Sequence, residues 1–417
     1  MRGGATTQDL IKTMEKLVEI PLDLAQKCVK CGLCKSVCPT YRQEEGSYAR
    51  GRLALAEMVV KGDLPLTQEV AKQWDECAMC RRCEWICPND VQYKEIMAFA
   101  RHHQKKKLGM GLVKRMALKS LMLLQSPLGR KVVPILGKIL RLLPAEGLRI
   151  IFPTGARKFM PKASPSAFEL RGKVFQADQE KGKLLFFTGC MIDAFYTETG
   201  RNVIKLMNRA GYTVIVPEDI RCCGAPHYYS GDMESFTQLK EHNMKEMSKY
   251  QYDAVVVACP TCGGALKEDY GIDKDVFDFT QIIQKNPLPF KGNGERVTFH
   301  VPCHSYTAMK LKEEVFYDTL KMVKNAEVRK ASKDKSCCGF AGIFSITNPA
   351  LSDKIQKEKM DDLLKTEAQV VLTTCPGCVL QLTDGTRKYG KCQKVMHLAD
   401  YLAQRLHDGE DRGSLQR

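Results

Sequence analysis

In the second half of the chain, apolar residues come in short unbroken runs, separated by longer stretches in which they recur every three or four positions. Leu184 to Thr188, Thr213 to Val216, Ala254 to Ala258, Val297 to Val301 and Val370 to Thr373 are such runs, with the length expected of strands buried on both faces. Between them lie helical patterns: one with Val203, Ile204 and Met207 on one side, a polar one from Met233 to Lys249, one near Glu314 to Lys324 and one from Ser352 to Lys365. Strands alternating with helices predict α/β units on mostly parallel sheets. The first hundred residues instead read as helices, Tyr48 to Lys61 and Thr67 to Met79, with Gly62 and Pro65 turning the chain between them.

Residues 101 to 165 differ from both. They are rich in Leu and Met, and Pro127, Pro134, Pro144 and Pro153 are expected to cut them into short helical pieces. Leu118, Leu121, Met122 and Leu124 against Lys114, Arg115 and Lys119 give an amphipathic pattern. Much of the chain's net charge of +16 sits here, because Arg101 to Met160 holds 14 Lys or Arg and a single acid, Glu146. Such a segment suits an anionic membrane surface or a partner, or else a linker whose lysines are simply solvated. Few aromatics are interleaved with the basic residues, which argues against nucleic acid.

Cysteine spacing supplies the chemistry. Cys28, Cys31, Cys34 and Cys38-Pro39, and again Cys77, Cys80, Cys83 and Cys87-Pro88, follow the C-x2-C-x2-C-x3-C-P pattern of bacterial-type [4Fe-4S] ferredoxins. In that pattern three closely spaced thiolates wrap one cubane and the fourth reaches the neighbouring cluster. Cys28, Cys31, Cys34 and Cys87 are therefore expected to hold one cluster, and Cys77, Cys80, Cys83 and Cys38 the other. Zinc is the competing reading of C-x2-C pairs, but a closed four-ligand zinc site does not require the fourth cysteine-proline.

Two further cysteine quintets follow. Cys190, Cys222-Cys223-Gly224 and Cys259-Pro260-Thr261-Cys262 recur as Cys303, Cys337-Cys338-Gly339 and Cys375-Pro376-Gly377-Cys378, at offsets of 113 to 116 residues. The alternating region is thus an internal duplication. The first cysteine and the C-P-x-C pair of each quintet fall at the ends of strand runs, where a helix N-terminus would favour thiolates and an anionic cluster. Proline after Cys259 and Cys375 suits a helix start. Five thiolates exceed the four of a cubane, so each half is expected to hold a further cluster with a spare or bridging cysteine, or one that is not a simple cube. A zinc site with an extra thiol and a reactive dithiol are the alternatives. His300 and His304 flank Cys303, and His227 follows Cys223; hydrogen bonding or packing is the expected role of each, ahead of ligation. Cys392, the one cysteine left over, reads as a small buried hydrophobe.

At 417 residues and 44% apolar content the chain supports two to three domains with ample core. No apolar run reaches the eighteen or so residues of a membrane span, and residues 1 to 24 lack a secretory signal pattern. Reduced thiols in a cytoplasmic protein, soluble or peripheral on the inner membrane face, are expected. There is no C-x-x-C-H for haem, and Gly109-Met110-Gly111 and Gly292-Asn293-Gly294 both lack the third glycine of a dinucleotide loop. No flavin, NAD or haem is therefore expected in this chain. The fold expected is a multidomain α+β protein: an all-α ferredoxin-like domain over 1–100 with two [4Fe-4S] clusters, a basic linker or docking segment over 101–180, and duplicated α/β cysteine-rich domains over 181–290 and 291–417.

With these residues in view, the chain resembles the iron-sulfur subunits of FAD-linked 2-hydroxyacid oxidases, above all the glycolate oxidase iron-sulfur subunit family. The likeness runs essentially full length, through both N-terminal runs, Ala49-Arg50-Gly51-Arg52-Leu53, the basic middle, Phe299-His300-Val301-Pro302-Cys303 and Cys338-Gly339-Phe340-Ala341-Gly342. Similar layouts occur in the membrane-anchor-type subunit of anaerobic glycerol-3-phosphate dehydrogenase and in heterodisulfide reductase. The resemblance implies CCG domains, an FAD-containing partner that oxidises glycolate, D-lactate or a similar hydroxyacid, and a membrane quinone or another acceptor. In heterodisulfide reductases the repeated motif binds noncubane [4Fe-4S] clusters that cleave a disulfide, so the resemblance leaves both cubane and noncubane clusters open for the duplicated domains. Under a disulfide-reductase reading, Cys222, Cys223, Cys337 and Cys338 become the catalytic candidates. Some glycolate-oxidase relatives lack part of the C-P-x-C pairs, whereas this sequence keeps both quintets whole.

Overall fold

The computed structural model describes residues 22–142, 147–151, 154–155, 157–390 and 393–407. Cys392, Pro144, Glu146 and Pro153 lie outside them. The N-terminal part is helical: α1 (Leu22–Gln26), α2 (Cys34–Val37), α3 (Ala49–Lys61), α4 (Gln68–Asp75), α5 (Arg82–Trp85) and α6 (Tyr93–Leu108). Thr67 caps α4 by accepting from the Val70 amide at 3.4 Å, and α3 stops at Gly62, whose φ of 80° turns the chain out of the helix. Leu53, Ala56, Trp74, Ile96, Met97 and Ala100 form the small core between α3, α4 and α6.

Residue 100, expected as a domain boundary, lies inside α6. Two more helices follow, α7 (Leu112–Leu124) and α8 (Pro127–Arg141), then a hairpin of β1 (Gly147–Ile151) and β2 (Arg157–Pro161). Pro134 sits inside α8 and does not cut it, contrary to the expectation from sequence. The helix is held from outside: Gly137 lies so close to Ala163 that a Cβ would meet its carbonyl oxygen at 2.6 Å, and Gly129 is pressed against the Leu123 and Leu124 carbonyls in the same way.

Each duplicated half is built on its own sheet. In the first, β3 (Lys173–Phe175), β4 (Gly182–Phe187), β5 (Tyr212–Val216), β6 (Ala254–Val257) and β7 (Val276–Asp278) run in the order β3-β5-β4-β6-β7, with only β3 antiparallel. After a short parallel pair, β8 (Phe290–Lys291) with β10 (Val323–Lys324), the second sheet joins β9 (Arg296–Phe299), β11 (Glu327–Val328), β12 (Val370–Thr373) and β13 (Lys394–His397) in the order β11-β9-β12-β13, all parallel. The helix expected to reach Lys324 stops at Lys321, and β10 takes the last two residues. Leu185, Phe186, Val256, Val297, Phe299, Leu372 and Tyr401 belong to one continuous core that spans both halves. In register, Phe187 stands beside Val257, and Phe299 beside Leu372. The carboxyl ends of the central strands are thereby level, which is where an open parallel sheet places its binding crevice.

Glu295 ties the entry of β9 to the helix Leu398–Ala403. It accepts from Tyr401 Oη and the Asn293 amide, each at 2.7 Å, and pairs with Arg405. Burial opposes its ionisation, but these donors outweigh it and hold the carboxyl down to about 2. A depressed carboxylate stabilises the fold above the unfolded value of about 4.3 and ceases to do so as the pH falls through the folded one. Glu295→Gln should therefore lose about 2–3 kcal/mol at neutral pH, with the gap to the parent closing between about pH 5 and pH 2. Urea unfolding across that range measures it; a gap that does not depend on pH contradicts the assignment.

Candidate metal centres

The two N-terminal runs are shaped alike. Lys30 and Gly32 around Cys31, and Met79 and Arg81 around Cys80, all have φ between 47° and 84°. Two left-handed residues flanking the middle cysteine curl each loop around its own interior. Gly32 adopts this at no steric cost. Arg81 is strained there, and its guanidinium is held by Glu84 at 2.7 Å and by Glu268 of the first duplicated half. Cys28, Cys31, Cys34 and Cys87 line one small pocket and Cys38, Cys77 and Cys80 line the next, with Cys83 on the wall of both.

Cations and hydroxyls surround these thiols. Arg52 is fully buried and donates to Thr40 Oγ1 at 3.2 Å and to Ser47 Oγ. Thr40 Oγ1 in turn touches Cys38 Sγ at 3.2 Å, and Tyr93 Oη reaches Cys77 Sγ at 3.8 Å. Burial pushes the Cys80 thiol up to about 12 and Cys83 well above its ordinary value. Thiols this buried become thiolates only when positive charge is supplied, and a bound iron cluster, together with Arg82 beside Cys80, meets that condition.

All ten cysteines of the quintets line one cavity. They are carried there by the strand ends: Cys190 starts a helix just after β4, and Cys259 caps the helix Pro260–Glu268 after β6. Cys303 opens a helix after β9, and Cys375 caps Pro376–Tyr389 after β12. The Cys-Cys-Gly pairs enter from loops beyond β5 and β11. Gly224 and Gly339 have φ of 79° and 86°, and a Cβ there would meet the Phe236 ring or the Ser352 carbonyl within 2.7 Å. The cavity encloses about 1220 Å³, including the part open to solvent, and Cys77 of the helical domain also lines it.

The sulfurs form a connected set. Cys338 and Cys378 Sγ are 3.3 Å apart, Cys190 hydrogen-bonds Cys222, and Cys223 lies between Cys222 and Cys262. Cys259 contacts both Cys262 and, from the other half, Cys375. Donors from Cys222 and Cys262 bring Cys223 down to about 6, and Cys338 and Cys259 are held well below the ordinary thiol value in the same way. The halves are joined sulfur to sulfur.

The histidines separate by role. His304 Nε2 lies 3.0 Å from the Met79 carbonyl, so it carries the proton, and Nδ1 accepts from Thr261 Oγ1 at 2.8 Å. His304 thus fastens the C-P-x-C loop of the first half and its own helix in the second to the cluster loop of the helical domain. His227 Nδ1 pairs with Asp232 at 2.9 Å. His300 is different. It is buried, neither ring nitrogen has a nitrogen or oxygen partner, and one of them lies within 4.8 Å of Cys338 and Cys378 Sγ, with the Cys338 thiol as its partner. An imidazole set against two thiols fits a bound cluster that would accept from it.

Residues without a cysteine motif complete the site, and sequence reading missed them. The Cys222 amide donates to Gln125 Oε1 at 2.5 Å, from the turn between α7 and α8. Arg101 spans domains, donating to the carbonyls of Trp74 and Cys77 and to that of Tyr229. Lys359 is buried near Cys338; desolvation pushes it down to about 8, against the pull of Asp362 and Asp334. Only Arg52 had a sequence signal, its place in the stretch after the first cysteine run.

A helical two-cluster domain joined to a duplicated, cysteine-lined α/β pair defines an iron-sulfur protein of the dicluster and CCG type. A 4Fe-4S dicluster domain model matches residues 24–91, and a cysteine-rich CCG domain model matches residues 184–267 and 297–383. Over 95% of its length the chain is 30% identical to the probable glycolate oxidase iron-sulfur subunit of Bacillus subtilis, covering 98% of that protein. It is 25% identical to the glycolate oxidase iron-sulfur subunit of Escherichia coli, over 87% of this chain and 91% of the relative. Lactate utilization protein A of a Geobacillus strain matches 54% of the chain at 29% identity over its whole length. The chain belongs to the glycolate oxidase iron-sulfur subunit family. Among the described residues, no helix is long and apolar enough to cross a membrane.

Proposed function

We propose that this chain is the electron-transfer subunit of a complex in which an FAD-containing partner oxidises a 2-hydroxyacid, glycolate or D-lactate, and from which electrons pass toward a membrane quinone. In this reading Cys28, Cys31, Cys34 and Cys87 hold one [4Fe-4S] cubane and Cys38, Cys77, Cys80 and Cys83 the next. Cys190, Cys222, Cys223, Cys259 and Cys262 hold a third cluster, and Cys303, Cys337, Cys338, Cys375 and Cys378 a fourth, each with one thiolate more than a cubane needs. When bound, such clusters supply one-electron carriers whose potentials follow charge, burial and hydrogen bonds to sulfur.

The observation that carries the proposal is the unbroken order of the thiol sets. Cys83 lines both N-terminal pockets. Arg82 lies in the field of Cys80, Cys337 and Cys303 together, which joins the second N-terminal set to the second quintet. Cys259 and Cys375 join that quintet to the first. Arg52, Arg82 and Lys359 offset the negative charge of the sets they border, and His304 fixes the spacing between loops. Purified cluster-loaded chain should keep its visible iron-sulfur absorbance when a hydroxyacid is added alone, and bleach when the flavoprotein partner is added with it. Oxidation of the hydroxyacid by the flavin-free chain by itself would refute the proposal.

A second reading is favoured by the cavity. Both quintets open onto it, and Met191, Pro226, Tyr229, Phe340 and Ile343 give it an apolar lining, as a site for a small disulfide would need. Here the Cys222-Cys223 or Cys337-Cys338 centre reduces a disulfide. Turnover of disulfides with reduced viologen, abolished by Cys222→Ser or Cys337→Ser, supports it; turnover unchanged in those variants removes it.

A further inference from the structure

Helix α8 is turned the opposite way from a surface helix that packs its large apolar residues inward. Its inner face is Gly129, Val133 and Gly137, and the two glycines seat it directly on backbone carbonyls. Its large side chains point out: Leu128, Val132, Ile135, Leu136 and Ile139 leave between 46% and 64% of their surface in solvent, and Leu142 leaves 84%. At 100° per residue these six fall within an arc of about 120°. No rotation of the helix could bury them, because any larger residue at the glycine positions would collide with the chain beneath. Leu112, Met116 and Leu123 of α7 are exposed as well.

Along α6, α7 and α8 the charge beyond the first turn of α6 has one sign. From Arg101 to Leu142 there is no Asp or Glu, and the exposed Lys106, Lys107, Arg115, Lys119, Lys131 and Lys138 make no ion pair among the described residues. On α8 itself Lys131 and Lys138 flank the apolar arc along one side. An aliphatic arc bordered by free lysines is the composition of a helix that lies in the headgroup region of an anionic leaflet, with its apolar side chains among the acyl chains and its ammonium groups on lipid phosphates.

We infer that α8 docks the protein flat on an anionic bilayer surface. The inference goes beyond the electron-transfer role and does not depend on which donor or acceptor the clusters serve, because vesicle binding is read without turnover. Cluster-loaded full-length chain is sedimented with phosphatidylcholine vesicles, with or without about one third phosphatidylglycerol. It should pellet with the anionic vesicles at about 0.05 M salt and at least about tenfold more weakly at 0.5 M. Ile135→Asp/Ile139→Asp should abolish pelleting at either salt, and Lys131→Gln/Lys138→Gln should weaken it chiefly at low salt. Both variants should keep the parent's iron content and visible spectrum, which establishes that they fold. Absence of pelleting at low salt overturns the inference, as does an aspartate variant that pellets like the parent. It is equally overturned if the parent ignores vesicles while the aspartate variant loses co-purification with the flavoprotein, since the face then belongs to a protein partner.

Discussion

Cys375→Ser should remove iron from both duplicated halves, not from one. Cys375 closes the second quintet beside Cys378, and its thiol also contacts Cys259 of the first. A serine hydroxyl is a shorter and harder ligand than a thiolate, so the second centre loses a ligand while the first loses the neighbour against which Cys259 is positioned. Cys303→Ser is the control. The largest sulfur influences on Cys303 come from Cys80 and Cys338, not from the first quintet, and its loss should leave the first centre intact. With four centres loaded, the Cys375 variant should retain about half the parent's iron and acid-labile sulfide, and the Cys303 variant distinctly more. Equal losses in the two variants would show the halves to be independent. A parent that carries zinc and no labile sulfide would refute the cluster assignment altogether.

Lys94→Met should separate the helical domain from the first duplicated half. Lys94 lies on α6 and is 1% exposed; its ammonium is 2.6 Å from Asp269 and 3.2 Å from Glu268. Arg81 joins Glu268 from the cluster loop. Burial raises the Asp269 carboxyl in spite of Lys94, whereas Glu268 is held low against its own desolvation by Arg81 and Lys94. Removing one partner of a buried pair strands the other charge, a loss of about 3–5 kcal/mol. Chemical unfolding should register that loss, and limited proteolysis should cut between the helical domain and the remainder. Lys94→Arg should recover part of the stability. A Lys94→Met variant within about 0.5 kcal/mol of the parent would mean that the domains are held by Arg101 and His304 instead.

The cluster loops and the duplication are legible in the sequence because they are local. A C-x2-C-x2-C run places three sulfurs around one interior whatever the rest of the chain does, and matched offsets identify a repeated unit without any knowledge of its packing. The strand runs that carry Cys190, Cys259, Cys303 and Cys375 are equally local, since a four-residue apolar run followed by a helix signal defines a strand end. Pro134 shows the limit of this reasoning. Taken alone it breaks a helix, but α8 is stabilised by the close seat of Gly137 on the Ala163 carbonyl, from chain well beyond the helix. The amphipathic pattern of the basic segment was equally visible, but a periodic stripe does not disclose which way it faces.

Sequence by itself determined which residues carry sulfur, how they group into four sets, and that two of those sets ride on parallel α/β units. Tertiary structure alone decided that both quintets meet in one cavity and that Lys359 and His300 stand beside Cys338. It also decided that α8 turns its aliphatic side outward. These facts depend on contacts between residues separated by tens to hundreds of positions, fixed by the packing of two sheets and a helical domain, and no local spacing encodes them.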